Sequence, residues 1–200
     1  MLAVRAAVRA HVWAHSGDDA AASAYLDTAL AHLSPPPPSL AAVGGLSGTG
    51  KSTFARLIAP GLGASPGAVV LRTDEVRKRL MGVPPDSRLP ASAYGPGFYE
   101  QVYDTLFSEA DQALEAGRAV VLDATFISPE LRARAEALAR RAGVPFAGIW
   151  LEAPAEILAA RIGARHGDAS DATVETLQMQ IDREVGAIAW TRVDASGPAA

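Results

Sequence analysis

The chain contains no cysteine and no long uninterrupted apolar segment. Without cysteine, neither a disulfide framework nor a thiolate metal site is available. This composition fits a cytosolic protein, and a cytoplasmic location is our expectation. No apolar run reaches the roughly 18 residues that a bilayer-spanning helix needs. The N-terminal stretch MLAVRAAVRAHVWAH is amphipathic but lacks the continuous apolar segment of a secretion signal, so we expect neither such a signal nor a membrane partner.

Lysine and aromatic residues are also scarce, and the net charge is negative. Lys51 and Lys78 are the only lysines among 18 basic residues, aromatic residues make up 6% of the chain, and the formal net charge is -4. A chain with a pI near 5.5 has no overall attraction to nucleic acid, although a local basic patch stays open. Apolar residues, in contrast, make up 49% of the 200 residues, enough for a folded core. This length predicts one domain with a small appendage.

The appendage is predicted at the N-terminus. Residues 2–15 and 19–33 each have apolar positions at helical spacing, and a Ser-Gly-Asp break separates them. The sequence SPPPPS follows, and its four prolines favour a stiff, extended linker. We therefore predict a helical hairpin over 1–34, a Pro-rich linker over 35–39 and the main domain over 40–200. We expect the hairpin to pack on that domain, because two helices alone bury too little surface.

Beyond the linker, short apolar runs alternate with helical patterns. Unbroken apolar runs are typical of strands buried on both faces, and strand–helix alternation predicts an α/β domain with a parallel sheet covered on both sides. The predicted strands are 40–43, 68–71, 119–122, 146–151 and, more weakly, 189–193. The predicted helices are 52–59, 74–81, 97–116, 129–142, 154–165 and 172–187.

A glycine-rich loop links the first of these strands to the first helix. It matches the Walker A pattern G-x-x-x-x-G-K-[ST], and the strand before it and the helix after it are the context that the pattern requires. Glycines let successive backbone N–H groups face one anion, and the helix N-terminus adds partial positive charge. The loop therefore predicts a site for a nucleoside triphosphate, but it does not choose among hydrolysis, transfer and switching. The candidate nucleotide-binding residues are Gly45, Leu46, Ser47, Gly48, Thr49, Gly50, Lys51, Ser52 and Thr53.

Two acidic residues follow other strands. Ligands of open α/β sheets bind at the carboxyl ends of the strands, so Asp74 and Asp123 are expected beside the loop. Asp123, with the Ser52 hydroxyl, is a candidate to hold Mg²⁺. Asp74 is a candidate base for an attacking hydroxyl, and Arg77, three residues on, is a candidate to grip the acceptor or phosphate. The alternatives are a helix-capping role for Asp74, a cap or turn for Asp123 and a solvated helix face for Arg77.

Two further segments are candidates for the same site. Arg161 and Arg165 share one helix face ahead of GDASDAT, and such a segment can close over phosphates, although an exposed arginine face is equally consistent. The Pro/Gly-rich segment 82–103 is long enough to be functional. Within it, Arg88, Tyr94 and Tyr99 are candidates to reach an acceptor.

These motifs together resemble P-loop kinases of the zeta-toxin, gluconate kinase and polynucleotide kinase type. GGLSGTGKST, RTDEVRKRL and VVLDATF are similar to their phosphate loop, their D-x-x-R acceptor segment and their D-x-T element. LRTDEVRKRLMGVPP and GDASDAT resemble counterparts in the AAA_33-type kinase domain, which in bacteria is fused behind an aminoglycoside-phosphotransferase-like domain. The resemblance covers about residues 39–194. VRAAVRAHV resembles the tail of that upstream domain, which implies such a domain as a partner.

The resemblance implies a three-layer α/β/α P-loop fold with a five-stranded parallel sheet in the order 2-3-1-4-5. It also implies that Lys51 and Ser52 bind ATP and Mg²⁺, that Asp74 is the base, and that Arg77 touches the acceptor. Arg161 and Arg165 would belong to the lid, and Thr125, in the D-x-T element, joins the candidate acceptor residues. We expect an ATP-dependent phosphotransferase whose acceptor is a sugar, nucleoside or antibiotic hydroxyl. The alternatives are a polynucleotide 5′-hydroxyl kinase, which the acidic chain disfavours, and a non-catalytic ATP-dependent switch.

Overall fold

The main domain is built on a parallel sheet of five strands. A computed structural model of the protein describes residues 1–164 and 170–197. The strand order is β2-β3-β1-β4-β5, and every paired neighbour runs parallel. This confirms the expected fold class and strand order. The strands are β1 (Leu40–Gly45), β2 (Val69–Arg72), β3 (Val120–Asp123), β4 (Phe146–Glu152) and β5 (Thr191–Asp194).

Eight α-helices accompany the sheet in the described part of the chain. Six of them follow β1 in the alternation that a parallel sheet requires, because each parallel connection must cross back over the sheet. The helices are α1 (Leu2–His15), α2 (Asp19–Leu33), α3 (Lys51–Ile58), α4 (Thr73–Leu80), α5 (Pro96–Glu115), α6 (Pro129–Ala142), α7 (Ala155–Gly163) and α8 (Val174–Ile181).

The central strands are apolar throughout because both of their faces are buried. In β1, Leu40 and Ala42 belong to the core under α5 and α6, whereas Ala41 and Val43 belong to the core under α3. This alternation follows from the two-residue period of a strand. The larger core contains Leu106, Leu122, Phe126, Trp150 and Trp190. Three layers result, as expected.

Local signals define the ends of α6 well. The Ser128 side chain accepts a hydrogen bond from the Leu131 N–H, and Pro129 occupies the first turn, where its missing N–H costs little. Gly143 ends the helix with φ +67°, a left-handed conformation that glycine adopts without strain. The predicted bounds, 129–142, are confirmed.

The prediction for α8 was wrong at its C-terminal end. Helical spacing predicted a helix over 172–187, but α8 ends at Ile181. The Arg132 guanidinium donates to the carbonyl oxygens of Val185 and Ala187, at 2.7 and 3.1 Å. Those carbonyls bind an arginine from α6 instead of completing helical turns, and the chain crosses to β5 as an irregular segment.

The N-terminal hairpin buries small side chains and leaves larger ones exposed. Its buried residues are Ala6, Ala10 and Ala29. Exposed apolar side chains line both helices: Val4, Val8, Val12, Leu26, Leu30 and Leu33. The division at 34 and 39, and the packing of the hairpin on the main domain, stay predictions. No helix among the described residues is both long and apolar enough to cross a membrane.

Candidate active site

The phosphate-loop sequence adopts the tight turn that its glycines allow. Gly45, Gly48 and Gly50 have φ values of +138°, +87° and +86°. A Cβ at Gly45 would lie 2.5 Å from the Leu151 carbonyl oxygen, and one at Gly48 would lie 2.7 Å from the carbonyl oxygen of Leu158. Side chains at these two positions would therefore both strain the backbone and collide with it. The loop leads into α3, whose first residue is Lys51, so its N–H groups and a helix N-terminus lie together.

Lys51 lies back across this loop. Its Nζ donates to the Leu46 carbonyl oxygen at 2.8 Å, and the Thr49 hydroxyl donates to the same oxygen at 2.8 Å. The Ser47 N–H donates to Oε1 of Gln180, on α8, at 2.8 Å. A side-chain oxygen from α8 thus occupies an N–H of the loop, which is the kind of donor that a phosphate oxygen would use.

Ser52 and Asp123 meet, as the sequence predicted for a metal pair. The Ser52 hydroxyl donates to Asp123 Oδ2 at 2.5 Å. Both are oxygen ligands of the kind that Mg²⁺ prefers when phosphates complete its coordination shell. The residues present therefore fit a magnesium ion at this position, and such an ion would neutralise charge on the transferred phosphoryl group. No cluster of three or more His, Asp or Glu side chains suited to a metal occurs in 1–164 or 170–197.

Arg72 is the main residue of this cluster that sequence reasoning missed. The register of β2 and β3 pairs Arg72 with Asp123, and Arg72 Nε donates to Asp123 Oδ2 at 3.0 Å. Its Nη1 also donates to Glu75 at 3.2 Å. Arg72 and Asp123 are 3% and 4% exposed. The signal that could have revealed Arg72 is that β2 and β3 are both apolar runs that end in a charged residue, and the two charges are opposite.

Asp74 and Arg77 form the predicted pair at the start of α4. Arg77 Nη1 donates to Asp74 Oδ1 at 3.0 Å. The Asp74 side chain keeps 27% of its surface exposed, so its carboxyl is partly accessible from solvent. Burial raises the pKa of Asp74, and the negative charge of Asp123 adds to this effect, while Arg77, Arg72 and Lys51 oppose it. A carboxylate with a raised pKa is a better proton acceptor than an ordinary aspartate.

The tyrosines of segment 82–103 form two separate sets of contacts. The Tyr94 ring faces the Arg77 guanidinium, with 4.7 Å between the guanidinium carbon and the ring centroid. Tyr99 stacks at a tilt on Tyr103, 4.9 Å between centroids. The Tyr103 hydroxyl lies 3.5 Å from that of Thr125. Tyr94 thus contacts the Asp74–Arg77 pair through Arg77, and Tyr99 and Thr125 are linked to each other through Tyr103. Arg88 is exposed on the loop.

Of the two predicted lid arginines, Arg161 is described, and it contacts the segment after β5. Arg161 Nη1 donates to the Ala195 carbonyl oxygen at 2.8 Å, and its Nη2 donates to the carbonyl oxygen of Gly197. In this conformation Arg161 holds the segment after β5, and its role at a phosphate stays a prediction. Arg165 lies outside the described residues.

A phosphate loop, an acidic residue at the end of β3 and a D-x-x-R pair at the end of β2 define a P-loop protein of the kinase type. The chain belongs to the AAA_33 family, described as an AAA domain, whose model matches residues 40–184. An uncharacterised protein of Mycobacterium tuberculosis is 35% identical over 98% of this chain and 41% of its own length. The chain therefore spans about two-fifths of the curated relatives that it matches most fully.

Two kinases are similar over shorter or more divergent stretches. An adenylyl-sulfate kinase of Myxococcus xanthus is 36% identical over 58% of this chain and 59% of its own. A gluconokinase structure from Sinorhizobium meliloti superimposes with a TM-score of 0.51 at 22% identity, covering 82% of this chain and 85% of its own. At that identity the structural likeness supports the fold alone. The expected resemblance to P-loop kinases is confirmed, and the family supports phosphotransfer in general terms.

Proposed function

We propose that this protein is an ATP-dependent phosphotransferase that moves the γ-phosphoryl group to a hydroxyl of a small molecule. One observation carries the proposal: the partly exposed Asp74 carboxyl, two residues after the end of β2, accepts a hydrogen bond from Arg77 Nη1 at 3.0 Å, and desolvation raises its pKa. A carboxylate can also orient water for hydrolysis, so the choice of transfer rests on the pairing of Asp74 with Arg77, which places a cation beside the proposed base. The similarity to an adenylyl-sulfate kinase supports the same type of reaction.

Different residues of this chain have different roles in the proposed reaction. Asp74 orients the acceptor hydroxyl and takes its proton as the hydroxyl oxygen bonds to the γ-phosphorus; the bond from that phosphorus to the β,γ-bridging oxygen breaks, and ADP leaves. Lys51 and the N–H groups of the loop hold the phosphates, and Ser52 and Asp123 are the residues suited to Mg²⁺. Positioning and charge stabilisation supply most of the rate in this chemistry.

The acceptor is proposed to be small and anionic or polar, such as a sugar, an acidic sugar derivative, a nucleoside or an antibiotic. The Tyr94 ring faces the Arg77 guanidinium at 4.7 Å, and Arg77 is paired with Asp74, so a polar and an aromatic group lie beside the proposed base. A polynucleotide is disfavoured by the net charge of -4. An upstream phosphotransferase-like domain as partner and a location in the cytoplasm are parts of the same proposal.

The test compares Asp74→Asn with Asp111→Asn, a half-buried surface aspartate that pairs with Arg141 at 2.8 Å. ATP-dependent labelling of sugars, sugar acids, nucleosides, adenylyl sulfate, aminoglycosides and a 5′-hydroxyl oligonucleotide gives the activity, and calorimetry gives nucleotide affinity. We expect Asp74→Asn to lower kcat/KM by about 10²–10⁴-fold, the usual contribution of a general base, without weakening ADP binding.

Asp111→Asn should leave both quantities unchanged. Transfer that survives in Asp74→Asn would refute the base assignment. If no acceptor raises ATP turnover above its rate in water, the kinase proposal fails and an ATP-dependent switch takes its place. Labelling of the oligonucleotide alone would replace the small acceptor by a nucleic acid.

A further inference from the structure

We propose that Asp171 is a positioning residue for the acceptor side of this site, because it ties the 82–95 loop to buried Lys78 and thereby holds Tyr94 against Arg77. The proposal deepens the proposed function, on which its catalytic consequence rests. Asp171 lies on the segment between α7 and α8, 93 residues along the chain from Lys78.

Both carboxylate oxygens of Asp171 are used. Oδ2 accepts the Leu89 N–H at 3.1 Å and the Tyr94 hydroxyl at 2.9 Å, and Oδ1 lies 3.5 Å from Lys78 Nζ. Lys78 Nζ also donates to the Pro85 carbonyl oxygen at 2.8 Å. The loop is thus held at Pro85, Leu89 and Tyr94 by one ion pair. The Asp171 side chain is 11% exposed and that of Lys78 is 2% exposed, so solvent screens this pair little.

A buried ion pair is a costly way to stabilise a loop. Desolvation of two charges offsets most of their attraction, and apolar side chains of similar volume often stabilise a fold as well or better. What the pair adds is a fixed loop geometry, because a carboxylate oxygen accepts hydrogen bonds only from donors in certain directions. The specific bonds to Leu89 and Tyr94 are therefore the feature to be explained, rather than the charge pair alone.

The consequence of the tie lies at Arg77. The hydroxyl bond fixes the Tyr94 ring, the ring faces the Arg77 guanidinium at 4.7 Å, and Arg77 Nη1 donates to Asp74 at 3.0 Å. Arg77 Nε is buried and has no hydrogen-bond partner among the described residues. A planar guanidinium held on one face by a ring and at one nitrogen by a carboxylate presents its remaining donors in fixed directions. Movement of Tyr94 would reorient the Arg77 donors and so alter the hydrogen bond between Arg77 and Asp74.

The Tyr94 phenol is suited to this role. Burial raises its pKa, and the hydrogen bond to Asp171 raises it further. The phenol therefore stays protonated near neutral pH and remains a donor to Asp171. The α8 helix that follows Asp171 also carries Gln180, which accepts the Ser47 N–H of the phosphate loop. Asp171, which holds the 82–95 loop, thus lies just ahead of the helix that contacts the phosphate loop.

The test uses double variants that separate charge balance from geometry. Lys78→Met with Asp171→Asn removes both charges but keeps an oxygen that accepts from Leu89 and Tyr94; Lys78→Met with Asp171→Ala removes both charges and that oxygen. Asp111→Ala is the surface control. Trypsin cleavage after Arg88, which is exposed on the loop, and hydrogen exchange of the Leu89 amide report the tie without any acceptor.

Both double variants lose the Lys78 bond to Pro85, so the informative comparison is between them: we expect cleavage after Arg88 to be at least about threefold faster in the alanine double variant, which has also lost the acceptor for Leu89 and Tyr94. Equal cleavage rates for the two double variants would reduce Asp171 to a counter-ion of Lys78 and overturn the proposal. Asp111→Ala should cleave at the rate of the natural protein; acceleration there would show that the readout is not specific to the loop and would also overturn it.

Kinetics then test the catalytic consequence. For an acceptor found in the panel above, the alanine double variant should raise KM for the acceptor about tenfold while ADP affinity changes less than twofold. An equal loss of ADP affinity would indicate general damage and refute a positioning role. If no compound in the panel accepts phosphate, the proposed function fails, whereas cleavage and exchange still decide whether Asp171 holds the loop.

Discussion

Arg72 gives the sharpest prediction about what stabilises the site. Arg72→Met keeps the length of the side chain and removes its charge, so the buried Asp123 carboxylate is left with the Ser52 hydroxyl as its main partner. Removing one partner of a buried ion pair typically costs about 3–5 kcal/mol, because the other charge stays desolvated. The contact to Glu75 adds less, since the Glu75 side chain is 43% exposed and solvent-exposed pairs contribute up to about 1 kcal/mol.

We therefore expect Arg72→Met to lower the free energy of unfolding by about 3–5 kcal/mol in urea titrations at pH 7 without nucleotide. For a chain of this size, the same loss lowers Tm by roughly 6–20 °C. Arg72→Met combined with Asp123→Asn should recover most of the loss, because neither charge of this buried pair remains without its partner. If Ser52 and Asp123 hold Mg²⁺ as proposed, Mg–ADP will stabilise Arg72→Met more than the natural protein.

The refuting result is a small effect. A loss below about 1 kcal/mol for Arg72→Met would mean that Asp123 is hydrated or otherwise neutralised, as surface carboxylates are. Failure of the double variant to recover stability would mean that Arg72 acts through packing instead of charge.

Three further predictions follow from individual residues. Gly48→Ala should weaken ADP binding at least about tenfold by calorimetry, because its Cβ would meet the Leu158 carbonyl oxygen at 2.7 Å, whereas Gly117→Ala, at φ +74° with no atom near, should bind normally. The acid limb of kcat/KM against pH should lie above the ordinary aspartate pKa of about 3.9, because the raised pKa of Asp74 leaves it protonated, and inactive as a base, at a higher pH. An acid limb at or below that value would contradict this assignment. Arg132→Met should destabilise the fold by at least about 3 kcal/mol in urea, since buried Arg132 donates to the carbonyl oxygens of Phe126, Ile127, Val185 and Ala187; exposed Arg140→Met should change it by less than about 0.5 kcal/mol.

The features that sequence predicted are those that neighbouring residues determine. The phosphate loop depends on glycines within six positions of one another, and α6 depends on Ser128, Pro129 and Gly143 at its own ends. Asp74 and Arg77 are one helical turn apart, so their pairing also follows from local geometry. The apolar runs of the central strands identify a doubly covered sheet without any knowledge of register.

The features that sequence did not reveal depend on residues far apart along the chain. Arg72 meets Asp123 only because β2 and β3 pair in one register, 51 residues apart. Gln180 reaches the Ser47 N–H across 133 residues, and Asp171 reaches Lys78 across 93. The end of α8 was misplaced for the same reason, since Arg132 binds carbonyls that helical spacing assigns to the helix. No local pattern specifies such contacts.

The strand order explains why the pieces of the site meet. The phosphate loop follows β1, Asp123 ends β3, and Asp74 follows β2, while the sheet order is β2-β3-β1. Neighbouring strands lie about 4.8 Å apart, so β1 and β2 are separated by roughly 10 Å with β3 between them. In the proposed reaction, that separation would leave room for a transferred phosphoryl group above β3, with its donor over β1 and its acceptor over β2. If β1 and β2 were direct neighbours, Asp74 would crowd the loop, and Asp123 would lie to one side of the transfer instead of beneath it. The position of β3 therefore gives the candidate metal pair of Ser52 and Asp123 its place between donor and acceptor, and it accounts for the burial of Arg72 against Asp123 at the same step of the sheet.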